Sequence, residues 1–249
     1  MSLLGLTLKH YPEFEEVLKN YHASDHAKEV LKDLKLALLL APTSGGRNTI
    51  IRHQINTGKY YYIISDTTRP PRLNDGVMEQ NGKEYWFKTE EEMLADLRKG
   101  EYLEAELIHR QQVSGISIRE LEKARAQQKI AITDIDLKGV HNIMQEKPDA
   151  FAIMLLPPSF DEWQRRLNGR GRMPTPELKR RLETAGTILQ DGLRQNYYHF
   201  VISEDVGQSA SIIDAIIAGQ SNPHQGRAAG LINELQGRLQ EKLATIHQI

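Results

Sequence analysis

The chain has no cysteine in its 249 residues, which excludes disulfides, thiolate zinc sites, iron–sulfur clusters and a cysteine nucleophile together. It also lacks any apolar run near the ~18 residues that a bilayer-spanning helix needs, and the opening MSLLGLTLKHYPEF is interrupted by Lys9. There is no excess of either charge: 32 Lys and Arg face 33 Asp and Glu, a formal net charge of −1. No global field therefore recruits nucleic acid or an anionic membrane, and any anion site has to be local. Gly (18) and Pro (10) are ordinary in number, and no repeat or low-complexity tract is present. These absences predict a soluble, cytoplasmic, globular chain long enough to bury a large core.

What the chain does have is an alternation of apolar runs and helical spacings. Phe14, Val17, Leu18 and Tyr21 recur at helical spacing, and Ser24 precedes a second set, Val30, Leu31 and Leu34, so residues 1–35 are predicted as two short helices. Apolar runs at 36–40, 130–135 and 151–156 predict strands buried on both faces, joined by further strands at 60–64, 102–108 and 199–202. Helical patterns fall between them, among them a capping-box start at Thr89 and Glu92 and a helix opening at Ser159. Residues 66–88, dense in Pro, Gly and Asn, are predicted as loop. The alternation predicts an α/β fold with a mostly parallel sheet flanked by helices. After Asn222-Pro223 a last amphipathic helix, on Leu231, Leu235, Leu239, Leu243 and Ile246, is predicted to dock on the domain or on a partner, a second copy of the chain included.

Three stretches carry chemistry. The run Ala41-Pro42-Thr43-Ser44-Gly45-Gly46-Arg47-Asn48-Thr49 joins a strand to a helix and supplies, in altered form, what a phosphate loop needs: small residues, inward amides at a helix N-terminus, a cation and an oxygen ligand for magnesium. By itself it reads more readily as a tight strand-to-helix turn. In Ser65-Asp66-Thr67-Thr68-Arg69-Pro70-Pro71-Arg72, two arginines held by prolines present guanidinium forks suited to a phosphate, with Ser65 adding a hydroxyl. From Arg165 to Arg181 seven basic residues stand against the single acid Glu177, which is either an anion site or a solvated helix face.

With these stretches in hand the chain resembles the guanylate kinase family. SDTTRPPR, NGKEYWF, GEYLEAE, VSGIS, ITDIDLKGV, LLPPS, RRLNGRGR and KRRLETA follow the family's order over roughly residues 36–218. The resemblance implies a P-loop core with a monophosphate-binding subdomain at 68–117 and an arginine-rich lid at 165–181, between helical extensions at 1–35 and 219–249. It implies transfer of the γ-phosphoryl group of ATP to GMP with Mg2+. It places residues 42–49 on ATP and Ser65, Arg69, Arg72 and Tyr85 on the phosphate of GMP. Glu104 and Asp134 would read guanine, whose ring N–H and exocyclic amine both donate to a carboxylate. Asp136, two residues beyond Asp134 on one strand, would join Asn48 at magnesium, and Arg47, Arg166, Arg170 and Arg181 would clamp the transferring group.

The departures from the family are specific. Ala41, Arg47 and Asn48 replace the first glycine, the lysine and the hydroxyl residue of G-x-x-x-x-G-K-[ST]. The family's Tyr-Gly-[ST] is Ser114-Gly115-Ile116-Ser117, so the hydroxyl near guanine falls to Ser117, and about four extra residues lie between Arg72 and Glu79. Two other readings stay open: a non-catalytic module that binds a phosphorylated ligand, and a monophosphate kinase with altered base preference.

Overall fold

The computed structural model describes residues 8–74, 76–108, 110–169 and 173–246. In chain order its elements begin with α1 (Tyr11–Lys19), α2 (Asp25–Lys32), β1 (Leu36–Leu40), α3 (Arg47–Asn56), β2 (Tyr60–Tyr62), β3 (Asp66–Thr67), β4 (Leu73–Asn74), β5 (Val77–Met78) and β6 (Trp86–Phe87). There follow α4 (Glu90–Arg98), β7 (Tyr102–Ile108), β8 (Gln112–Ser117), α5 (Ile118–Ala126), β9 (Ile130–Asp134), α6 (Leu137–Glu146) and β10 (Phe151–Leu156). The chain continues with α7 (Phe160–Asn168), α8 (Thr175–Arg194), β11 (His199–Ile202), α9 (Val206–Ile217) and α10 (Gln225–Ile246).

The described residues form two compact units, one of 8–35, 61–131 and 141–148 and one of 36–60, 132–140 and 149–246. The first is built on a four-stranded sheet in the order β6-β3-β8-β7, in which β3 and β8, and β7 and β8, run antiparallel. The two N-terminal helices are part of this unit. Phe14 of α1 is fully buried with Met93, Leu94 and Leu97 of α4 and with Tyr102 and Val113. Ser24 caps α2 by accepting from Ala27 N, and Tyr21 Oη donates to Tyr102 O at 2.7 Å while accepting from Tyr102 N at 2.8 Å. Each buried apolar side chain of that face contributes about 1.5–3 kcal/mol relative to exposure.

The second unit carries the five-stranded sheet β11-β10-β1-β9-β2. The pairs β1–β10 and β10–β11 are parallel. All five residues of β1 are buried, as a strand covered on both faces requires. The C-terminal helix α10 packs on this unit's own α8, α7 and β11 through Ala228, Ile232, Leu235, Leu239 and Leu243. Leu231 and Ile246, expected on that face, are only half-buried, and Ile232 sits where Leu231 was expected.

Several elements differ from the sequence expectation. Residues 66–88 are not all loop: β3 and β6 join the first sheet, and β4 and β5 form a hairpin pairing Leu73 with Met78. Its exposed Leu73, Val77 and Met78 give no alternation to recognise. β8 was also unexpected, because Gly115 and two serines dilute its apolar pattern. Asp136 lies past the end of β9, not on the strand beside Asp134, and its Oδ1 accepts from Gly139 N at 2.8 Å within the first turn of α6.

Candidate active site

In the second unit, β1 ends in a turn that Gly45 N closes on Pro42 O at 2.9 Å. A Cβ on Gly45 would stand 2.8 Å from Ala41 Cβ and 2.9 Å from Pro42 O, so the turn admits only glycine there. The Gly45 amide, expected to face an anion, is thus spent on the turn itself. Gly46 caps α3 with φ +96°, a conformation natural to glycine. The helical ladder begins with Ile50 N on Gly46 O, leaving the amides of the first turn, Arg47 to Thr49, without helical acceptors and with the positive end of the helix dipole. Ser44 holds φ +61°, and its buried Oγ has no hydrogen-bond partner. A backbone strained into the left-handed region around an orphaned hydroxyl marks a loop shaped for something other than its own packing.

Arg47 does not project freely: its Nη1 donates to Ile135 O at 2.9 Å, just beyond β9. Asn48 and Thr49 are exposed on the first turn of α3. Trp163 of α7 is fully buried and donates from Nε1 to Thr43 O at 2.7 Å, which ties α7 to the loop. Between them opens a cavity of about 420 Å³, walled by Ser44, Gly46 and Thr49, by Glu162 and Arg166, and by Ser203, Glu204 and Asp205.

The arginine-rich stretch is less positive in effect than its composition suggests. Glu162, one turn before it, takes both Arg165 (2.6 and 2.7 Å) and Arg166 (2.7 Å), and these guanidiniums hold its carboxyl down to about 2. Arg166 also donates to Ser203 Oγ at 2.9 Å and Ser203 O at 2.7 Å, so it bridges α7 to the end of β11. Arg181 pairs with Glu177 at 2.6 Å along α8. Arg170 lies outside the described residues. Glu162 and the Ser203–Asp205 run escaped the sequence reading, although polar residues directly after an apolar strand are where open α/β sheets place ligand groups.

In the first unit, Arg69 is 8% exposed and locked in a bidentate pair with Glu79, at 2.5 and 2.9 Å. Its Nη1 also serves Pro70 O, and its guanidinium lies over the Tyr85 ring, 4.6 Å from the centroid. Glu79 accepts further from Arg72 N at 2.8 Å, so one carboxylate fixes both arginines of the phosphate motif across the base of the β4–β5 hairpin. Arg72 itself is exposed, with Nη2 on Gln112 Oε1 at 3.3 Å. Ser65 is half-buried at the start of this segment. Asp66 is fully buried beneath it, accepting from Arg119 Nη2 at 2.7 Å and Tyr102 Oη at 2.8 Å and facing Lys88 Nζ at 3.1 Å. Its negative field helps push the Tyr102 hydroxyl, already raised by burial, far above its ordinary pKa. Neither Asp66 nor Glu79 was singled out in the sequence, since nothing local marks an acid whose partners lie far along the chain.

Glu104 stands on β7 directly opposite Ile116 of β8 and is half-buried. Ser117 pairs with Tyr102, across a bulge. The Ser117 Oγ is buried without a partner at the start of α5. Asp134, at the end of β9, belongs to the second unit.

A parallel sheet whose first strand feeds a glycine turn, an open helix N-terminus and a polar cavity defines the P-loop class of nucleotide-binding proteins. The guanylate kinase family model matches residues 33–218, and the chain belongs to that family. It is 33% identical to the guanylate kinase of Corynebacterium efficiens over 74% of this chain and 95% of that one. It is 32% identical to the guanylate kinase of Bifidobacterium longum over 74% of this chain and 93% of the relative. The crystal structure of guanylate kinase from Anaplasma phagocytophilum shares the fold at a TM-score of 0.54 and 24% identity, covering 75% of this chain and 86% of that one.

Proposed function

We infer that this chain catalyses transfer of the γ-phosphoryl group of ATP to GMP, yielding ADP and GDP. The observation that carries this reading is a preorganised guanidinium, Arg69, held by Glu79 over the Tyr85 ring within a chain of this family. Within the first unit, Ser65, Arg69, Arg72 and Tyr85 take the phosphate of GMP, and Glu104 reads the guanine edge. The first-turn amides of α3 and the cavity beside them take ATP. Transfer needs no general base, because a phosphate oxygen is already nucleophilic near neutral pH, so the protein's task is to position and to neutralise the equatorial oxygens.

Mg2+ would accompany ATP and would supply charge neutralisation of its phosphates. Among the described residues no group of three acidic or histidine side chains gathers as a metal cage. Asn48 and Asp136 offer the hard oxygen ligands such an ion accepts, and the Oδ1 bond to Gly139 fixes the Asp136 carboxylate. Arg47 is the cation of the loop, and its bond to Ile135 O holds the planar fork in a place where a lysine would offer a movable point charge.

ADP formation measured across GMP, dGMP, AMP, CMP and UMP tests the reading. Turnover with GMP is expected. A different preferred base would move the assignment to a monophosphate kinase of altered specificity. Absence of turnover with every monophosphate, combined with no ATP binding by calorimetry, would leave a non-catalytic module. Within the enzyme, Arg47→Ala is expected to lower kcat by about tenfold or more, the scale of one lost charge-assisted contact, and Arg47→Lys to lower it less. Turnover at the parent's level in both variants would remove Arg47 from phosphate binding.

A further inference from the structure

β11 is the edge strand of the parallel sheet, and such an edge ordinarily presents a row of unpaired backbone groups. Here that row is filled by side chains from one short segment, residues 222–225, that follows α9 and opens α10. Gln225 Oε1 accepts from Phe200 N at 3.1 Å, and Gln225 Nε2 donates to Tyr198 O at 2.9 Å. Asn222 Nδ2 donates to Phe200 O at 3.0 Å, and His224 Nδ1 accepts from Ile202 N at 2.9 Å. Because a backbone amide can only donate, His224 is the neutral tautomer with its proton on Nε2. The imidazole is 5% exposed, so it has little access to solvent in place of this bond.

The residues held in this way lead directly into the cavity wall. Ile202 is followed by Ser203, which Arg166 grips at Oγ and O, and then by Glu204 and Asp205. Ser203 is fixed from the other side too, its N donating to Leu156 O at 2.8 Å. The segment 222–225 lies beyond residue 218, where the family match stops. We propose that His224, with Asn222 and Gln225, is a positioning residue for the nucleotide site: the C-terminal extension sets the Ser203–Asp205 wall and thereby tunes affinity for ATP. The proposal rests on the assignment of that cavity to ATP.

The chemistry supplies a readout that general stability does not. Protonation turns the Nδ1 acceptor into a donor facing the Ile202 N–H, so the contact fails in acid. The charged groups that bear on the ring are Glu204, from the loop after β11, and Arg227, from α10, 3.8 Å from each other. Burial lowers the His224 pKa, Glu204 opposes this and Arg227 adds to it, so the neutral ring is the resting form near neutral pH.

The test compares the full-length protein with His224→Leu, which removes the acceptor, and His224→Asn, whose Oδ1 can replace Nδ1 and does not titrate. His224→Leu is expected to raise the KM for ATP about five- to tenfold, the effect of one unpaired buried donor, while the KM for GMP moves less than about twofold. His224→Asn is expected to restore the ATP KM at neutral pH and to lack the acid-side rise that the parent shows beyond the titration of ATP itself. An unchanged ATP KM in folded His224→Leu, or an equal rise in both KM values, would overturn the proposal. Should His224→Leu fail to fold, coincident pH profiles for the parent and His224→Asn would overturn it equally. Parent protein without GMP-dependent ADP formation refutes the kinase reading instead, and calorimetric ATP affinity of the same variants then decides the positioning claim by itself.

Discussion

Arg69→Ala is expected to raise the KM for GMP by two orders of magnitude or more, with the KM for ATP nearly unchanged. The fork would make at least two charge-assisted bonds to a phosphate, each worth about 1.5–3 kcal/mol, and about 1.4 kcal/mol is a factor of ten. Truncation carries a further cost. Glu79, whose side chain is 6% exposed, loses its bidentate partner while keeping Arg72 N, and turns its negative charge toward an incoming dianion. Arg69→Lys is expected to recover little, because an ammonium cannot satisfy both carboxylate oxygens at once and stack on Tyr85. Glu79→Ala in the Arg69→Ala background should recover part of the loss, giving a coupling term in the double-mutant cycle. Steady-state kinetics at saturating ATP reads the parent, Arg69→Ala, Arg69→Lys, Glu79→Ala and the double variant, and a GMP KM within a few-fold of the parent in Arg69→Ala would take Arg69 out of the site.

Asp66→Ala is expected to cost about 3 kcal/mol of stability, the lower end of the range for removing one partner of a buried ion pair. The carboxylate is wholly buried, and its loss leaves the Tyr102 hydroxyl only the weak acceptor Met93 Sδ at 3.4 Å and leaves two cations in place. Two features hold the cost at the lower end: Arg119 is 40% exposed and can be hydrated, and Lys88 keeps Asp96 as a second partner. Urea denaturation is the measurement, with the midpoint falling and the slope preserved. A loss below about 1 kcal/mol would mean that the three contacts do not act as a buried network. Because β3 leads within two residues to Arg69, the same variant is also expected to weaken GMP binding.

The parts of the fold that were legible in the sequence are those governed by neighbours a few residues away. Burial of β1 follows from five apolar residues in a row, and the starts of α2, α4 and α7 follow from Ser24, Thr89 and Ser159, whose side chains each accept from an amide three positions on. The glycine turn and the arginines of the phosphate motif were legible for the same reason. The β4–β5 hairpin was not, since its apolar residues face outward and contradict the rule that apolar faces are buried. The place of Asp136 was not legible either, since strand periodicity does not show that β9 stops at Asp134 and that the next carboxylate caps a helix.

The sequence by itself determined the order of strands and helices, the family and the cations available to a phosphate, because these depend on spacing and on residue chemistry. Only the tertiary structure decided what those cations do at rest. Arg69 is held by Glu79, Arg166 reaches Ser203 across 37 positions, and Arg119 meets Asp66 across 53. The C-terminal segment completes the edge of β11 across 22 positions, from His224 to Ile202. Such partnerships follow from chain path and from the cost of leaving a buried charge or amide unpaired, a cost that exists only once the fold has excluded water.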